Sequence, residues 1–428
     1  MSTSMFRAAP FLGFAGFGAF WGVWGATLPL LRDQAGVSDA EFGVALLFVA
    51  AGALPAMLLT GRLVDALGLR VAGVLLALLG ITGLVLSVVS VSHAALCAGA
   101  LLTGAGSGAA DVAINTLAAT VEQRTGRPVV ARSHAAFSAT VALSSLGAGA
   151  LAAMAGSVLV NFAASAVVTV ALGVAVVAAT RSAPVGDAAT RSTPASVAPT
   201  RSAPATRSAL ADDAVASGGR VAQARAGLGS WRIALLVIGG IGALAFASEN
   251  AYQSWSAVLL TDAFAAAPPL AALAPAAFAT TAALSRVVVA TITLRHPIAT
   301  LAGGSVIATA GGLFTAFAPT LPLALAGVII AAAGTSVLFP TLLSYGLRPV
   351  PDRSRGRATS AISTVAYLGY LVGPAYFGLL ADATGVQKAF LGIAALTAAL
   401  LATFPALSAL KPARAPARDV TAALSDHP

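Results

Sequence analysis

The sequence predicts an all-α integral membrane protein, with twelve transmembrane helices in two six-helix, pseudo-symmetric halves. Three observations carry that prediction. Of 428 residues, 58% are hydrophobic and only 9% charged, with a mean hydropathy of +0.90. Soluble domains carry about 25% charged residues, so this chain lacks the polar surface that a water-soluble body needs. Its apolar residues fall in runs of about 20, long enough to cross a hydrocarbon core of roughly 30 Å as helices. Finally, Lys and Arg gather in alternate loops, as expected of a chain that weaves through a bilayer.

The runs lie at about 10–31, 40–61, 69–91, 94–119, 133–155 and 157–180, then at 231–260, 268–293, 298–318, 321–346, 358–381 and 386–408. Ala and Gly supply much of their length, which suits helices that approach closely in lipid. The first run is too long for a cleaved signal peptide, and only Arg7 precedes it, so it reads as a retained span. Cys97, the single cysteine, sits inside an apolar run, which leaves no disulfide framework and no thiolate metal cluster.

With twelve spans, one side of the membrane receives 22 of the 24 Lys and Arg residues; the other has only Arg32 and Lys388. The positive-inside rule then places both termini in the cytoplasm of a multi-pass protein in the plasma (bacterial inner) membrane. A miscount of one span would scramble this segregation. The +9 net charge is therefore a topological signal and does not point to nucleic acid. Residues 181–230 are low-complexity, with RSAP, RSTP and RSAP recurring among Ala, Ser and Thr, and are expected to be a disordered cytoplasmic linker. The chain thus divides into a six-helix half over 1–180, the linker, a second half over 231–410 and a cytoplasmic tail over 411–428.

The halves echo each other. Gly61-Arg62 aligns with Ser285-Arg286 at an offset of 224, and Thr140-Val141-Ala142 with Thr364-Val365-Ala366 at the same offset. ATLPLLRD at 26–33 matches WSAVLLTD at 255–262 more loosely. Internal repeats of this kind mark secondary transporters, whose site lies between the repeats near the bilayer midplane.

After the second span the chain reads GRLVDALGLR, Gly61 to Arg70. This resembles the GxLxDxxGxR/K signature of the major facilitator superfamily, and Arg355-Gly356-Arg357, Gly373-Pro374 and GLLAD at 378–382 support the likeness. The resemblance covers the chain apart from linker and tails. It implies a rocker-switch transporter with spans 1, 4, 7 and 10 around a central cavity. Gly61, Asp65, Gly68 and Arg70 then form a gating motif with Glu122. Gly61 would allow close packing, and Asp65 would face the positive N-terminal end of the eleventh helix near Thr359 and Ser360. Arg70 would pair with Glu122. Two departures count against multidrug efflux: Ala100 stands where drug–proton antiporters carry Arg, and Gly147-Ala148-Gly149 replaces their fifth-span GP pattern.

Carboxylates inside a span are costly and mark function. Two sit deep. Asp111 shares a fourth-span stripe with Thr103, Ser107 and Asn115 at spacing i, i+4, which places all four along one helix face. Glu249 in the seventh span has Asn250 beside it and Gln253 one turn on. Trp21 and Trp24 of the first span and Tyr345 of the tenth complete the expected substrate and proton cavity. No deep Lys or Arg accompanies these acids, so Glu249 is expected to be unpaired and the substrate to be a neutral polar solute or an organic cation. A carboxylate in a dehydrated cavity can load and release a proton, because burial disfavours its charged form; proton symport or antiport follows. Scattered histidines and the lack of a nucleophile–base pair or phosphate loop exclude an enzyme, and no cofactor or metal is expected. The remaining alternatives are a non-transporting receptor of the same fold and a multidrug antiporter. A monomer in the lipid bilayer, acting on a small molecule, is the expected assembly.

Overall fold

The structure, a computed structural model, describes residues 3–181, 209–348, 350 and 352–409. Twelve helices among them are long and apolar enough to cross a membrane. The first half consists of α1 (Thr3–Ala35), α2 (Asp39–Leu67), α3 (Val71–Val89), α4 (His93–Thr125), α5 (Val129–Ala155) and α6 (Val158–Thr180). In the second half, α7 (Ala209–Phe264) is followed by an eighth span in two pieces, α8 (Pro268–Ala271) and α9 (Leu273–Arg295). Then come α10 (Pro297–Phe317), a tenth span split into α11 (Leu321–Thr335) and α12 (Leu338–Leu347), α13 (Asp352–Thr384) and α14 (Val386–Ala409).

The segment expected as linker divides in two. Residues 182–208 lie outside the described residues, as does the 411–428 tail. From Ala209 onward the chain is helical, so 209–230 is a correction to the expected disorder. That stretch is rich in alanine, the best helix former, and it can propagate from the span that follows it.

Local chemistry sets the turns that matter for the site. Between α1 and α2 the chain reverses at Gly36, whose φ of +63° is open to glycine without strain. A capping box then starts α2: Glu41 N donates to Ser38 Oγ (3.3 Å), and Ser38 N donates to Glu41 Oε2 (3.0 Å). This compact corner brings Arg32, in the last turn of α1, beside Asp39, in the first turn of α2. In the tenth span, Pro340 has no N–H to offer the carbonyl four residues back, at Ser336. The helix breaks there, and Ser336 and Val337 separate α11 from α12.

Small residues let backbones touch, as helix packing in lipid requires. A Cβ on Gly104 of α4 would collide with the Val49 carbonyl of α2, and one on Gly52 with the Leu101 carbonyl. Between the halves, α2 crosses α13 where a Cβ on Gly43 would stand 2.7 Å from the Pro374 carbonyl oxygen. A Cβ on Gly149 of α5 would lie 2.6 Å from Ala272, between α8 and α9. Both crossings lie toward the end of the bundle that carries the α1–α2 and α7–α8 turns, called here the Arg-poor end. The α2–α3, α4–α5 and α9–α10 turns mark the opposite, Arg-rich end.

Candidate functional site

A cavity of about 330 Å³ lies between the halves, walled by α1, α2, α4 and α5 on one side and by α7, α9 and α13 on the other. On α7 the residues facing it are Phe246, Glu249, Asn250, Gln253 and Ser254, at the three- and four-residue spacings of one helix face. Tyr252 and Trp255 point into helix packing instead, against Phe390 at 4.9 Å and Phe377 at 5.0 Å. Of the residues singled out in the sequence, Trp21, Trp24, Asp111, Glu249, Asn250 and Gln253 line this space.

The chemical centre is an ion pair. Arg286 of α9 donates from Nη2 to Glu249 Oε1 at 2.8 Å and from Nε to the Ser336 carbonyl at 3.0 Å. The acceptor is the carbonyl that Pro340 leaves without a helical partner. Gln253 Nε2 adds a bond to Glu249 Oε1 at 3.2 Å. The two side chains are unequally placed: Glu249 is 9% exposed and Arg286 44%. Both line the cavity, and the guanidinium is the more exposed of the two.

This pair corrects three expectations. Glu249 is not unpaired, a deep arginine is present, and the ground for preferring neutral or cationic solutes falls with it. Arg286 falls within the 268–293 run, yet it counts among the 22 Lys and Arg of one side, like its repeat partner Arg62, which is exposed near the end of α2. The two helices end differently. Gly68, with φ +80°, caps α2 shortly after Arg62, whereas no glycine follows Arg286 before Pro297 and α9 runs on to Arg295. That missing stop, together with a run that already covers 268–293, was the signal that Arg286 is an intramembrane charge.

Asp111 lines the cavity from α4, and its Oδ1 accepts Asn115 Nδ2 at 3.0 Å. Asn115 also reaches the Asp111 carbonyl at 2.9 Å, so it orients the acid and does not itself line the space. Asn250 is partly spent on architecture, since its Nδ2 donates to the Tyr370 carbonyl at 2.8 Å and ties α7 to α13. Trp21 and Trp24 meet edge to face at 5.8 Å, and Phe17 lies 5.7 Å from Phe137, giving the cavity an aromatic wall. Tyr345 is a correction: its hydroxyl donates to the Leu407 carbonyl at 3.0 Å, away from the cavity. It lies on α12, beyond the break, and the tenth span contributes nothing to the lining.

The two ends differ. At the Arg-poor end, Arg32 grips Asp262 at the end of α7 with both guanidinium nitrogens, at 2.6 and 2.9 Å, and holds Asp39 at 2.7 Å. The fork-to-fork geometry fixes orientation as well as charge. At the Arg-rich end the expected contacts are absent. Arg70 Nε donates to the Leu67 carbonyl at 3.1 Å, while Glu122 accepts Val130 N at 2.9 Å; these two side chains are not paired. A Cβ on Gly61 would meet nothing within 4 Å, and Asp65 is exposed with no hydrogen-bond or ion-pair partner among the described residues. The cavity is therefore sealed at the Arg-poor end and opens toward the other. That state leaves the expected gate contacts unmade.

A family model described as Major Facilitator Superfamily matches residues 238–426. The chain is 27% identical over 391 residues to the uncharacterized transporter y4wD of Sinorhizobium fredii, covering 91% of this chain and 94% of that protein. It is 26% identical over 385 residues to the uncharacterized MFS-type transporter YPO1221/y2967 of Yersinia pestis, covering 89% and 90%. Among solved structures, the nucleoside transporter NupG superposes with a TM-score of 0.68 at 15% identity, covering 95% of this chain and 100% of that one. A D-xylose-proton symporter gives 0.67 at 13% identity, with 94% and 97% covered.

Proposed function

Because this chain belongs to the major facilitator superfamily and is a multi-pass membrane transporter of that type, we propose that it is a secondary active transporter that couples a small solute to protons by alternating access. The observation that carries the reading is the Glu249–Arg286 pair, set in a cavity built by both halves and sealed at one end. The guanidinium compensates the charge of the carboxylate it holds. Anything that takes Arg286 away leaves Glu249 desolvated and without its partner, and a proton then relieves the cost. Proton uptake is thereby tied to what occupies the cavity. The gating motif from Gly61 to Arg70 acts in the opposite state, when the Arg-rich end closes. The arginine bias supports assigning that end to the cytoplasm of a plasma (bacterial inner) membrane; on that assignment the conformation described is inward-facing.

Reconstitution in proteoliposomes with a chemically diverse solute panel tests the reading. Glu249→Gln is expected to abolish accumulation driven by a pH gradient while solute exchange persists. Wild-type behaviour in both assays would move the coupling role to Asp111.

A further inference from the structure

We infer that the cavity selects a small zwitterion with an apolar or planar body, whose anionic group displaces Glu249 from Arg286 and whose cationic group meets Asp111. The inference rests on the transport reading above and names the class of solute.

Charge bookkeeping of the cavity leads there. It is lined by one cation, Arg286, and two carboxylates, Glu249 and Asp111. Tyr367 and Tyr370 of α13 face the same acids, and His134 of α5 lies within electrostatic reach of Arg286. Loss of the pH dependence in Glu249→Gln is therefore what separates Glu249 from His134. While Glu249 is ionised it neutralises Arg286, and Asp111 is the surplus charge. A solute reaches the guanidinium more readily than the carboxylate, because Arg286 is 44% exposed and Glu249 only 9%. The guanidinium carries five N–H donors in a rigid fork, and Nε and Nη2 together commit two of them. The Nε bond to the Ser336 main chain keeps Arg286 in place when Glu249 lets go.

An anionic group at Arg286 brings a second negative charge to the same guanidinium. One proton from a hydronium ion, passed to Glu249, removes the conflict: an O–H bond of hydronium breaks, one forms on the carboxylate, and a neutral carboxyl and a water result. The loaded cavity then presents Arg286 as the cation and Asp111 as the anion. A free Asp111 oxygen is available, since Asn115 takes Oδ1 and Oδ2 has no partner among the described residues. A plain anion would leave Asp111 unmatched and repelling. A plain cation would satisfy Asp111, leave Arg286 locked to Glu249 and require no proton. The zwitterion alone uses both poles and calls for the proton. Its body meets Trp21 and Trp24, whose faces favour planar or apolar groups. A volume of about 330 Å³ stands at the small end of ligand pockets and suits a solute of amino-acid size.

Equilibrium binding to the purified full chain at pH 6 and pH 8 tests this with two zwitterions, phenylalanine and 4-(aminomethyl)benzoate. Each is compared with its single-charge counterparts: phenethylamine and 3-phenylpropionate for the first, 4-methylbenzylamine and 4-methylbenzoate for the second. At least one zwitterion is expected to bind about tenfold or more tighter than both of its counterparts, the margin of one charge-assisted hydrogen bond. Its affinity should fall from pH 6 to pH 8. Glu249→Gln should bind that zwitterion at pH 8 as tightly as wild type does at pH 6, with the pH dependence gone; a misfolded variant cannot show such a gain. Arg286→Lys should weaken the zwitterion about tenfold and leave the amine unchanged. Amines binding as well as the zwitterions, weaker zwitterion binding by Glu249→Gln, or no binding by either zwitterion would each overturn the inference. Zwitterion binding without pH-driven uptake would overturn the transport reading and leave the selectivity intact. Proton-driven uptake of an amine would do the reverse.

Discussion

The two ends of the bundle carry opposite amounts of charge and show opposite degrees of closure. Among the described residues, the Arg-poor end is held shut across the halves by a single guanidinium, Arg32, between Asp39 and Asp262. At the Arg-rich end, Arg62, Asp65 and Arg70 are all exposed and none forms an ion pair among the described residues. Charge count therefore says little about closure. Placement decides it. Arg32 is 13% exposed; of its three carboxylate partners, Asp39 and Asp262 are 17% and 28% exposed and Asp33, its chain neighbour, 61%, so the pairs with Asp39 and Asp262 are the more shielded from competing water. Exposed ion pairs contribute about 0–1 kcal/mol, whereas hydrogen bonds to shielded charged groups contribute roughly 1.5–3 kcal/mol each. Glycine crossings at the same end bring the helices near enough for one side chain to span them.

Three substitutions test that contrast, each read as access of an impermeant thiol reagent to a cysteine placed at Ala279 in the cavity. Background is low because the native Cys97 is buried. Arg32→Gln is expected to act most strongly. It removes all three of its ion pairs and leaves Asp39 and Asp262 facing each other, which should raise labelling from the Arg-poor side by a population shift of about 3 kcal/mol, or roughly a hundredfold. Unchanged labelling would show that packing alone seals this end.

Gly43→Ala follows. Its new Cβ would stand 2.7 Å from the Pro374 carbonyl oxygen and 3.0 Å from Gly378 Cα, so backbone must shift. Overpacking costs of about 1–3 kcal/mol predict a ten- to hundredfold shift in the same direction, and a neutral result would return the burden to Arg32. Asp65→Asn should do least in this state. It breaks no contact among the described residues, and stability should stay within about 0.5 kcal/mol. Turnover should slow while solute affinity stays within a few-fold, since its partners belong to the opposite state. A large loss of affinity would place Asp65 at the site and away from the gate.

Lipid makes much of this fold legible. A span must be apolar over its whole length and a loop need not be, so composition and arginine position report the twelve helices directly. Glu249 and Asp111 are equally conspicuous, as acids in apolar runs. Arg286 lies within the 268–293 run but counts with the basic residues of one side, as Arg62 does, and two residues at one repeat position need not share a depth. Tyr345 was misplaced because the break at Ser336 and Val337 carries the rest of the tenth span away from the cavity. Arg70 and Glu122 fail for another reason: a sequence names groups able to meet but not the conformation in which they do. Arg32, one of only two exceptions to the charge bias, turned out to be the residue that joins the halves, and the repeat ATLPLLRD/WSAVLLTD already set its helix end opposite that of Asp262.

Pro340 and Arg286 also behave as one unit of inheritance. A chain that exchanged Pro340 for a residue with an N–H would regain its helical bond, occupy the Ser336 carbonyl and leave the guanidinium without its main-chain anchor. Drift at an exposed position on α12 is thus felt across the bundle at the cavity. Lineages that keep an arginine at 286 are expected to keep a proline four residues after the carbonyl it binds, and those that lose one to lose both.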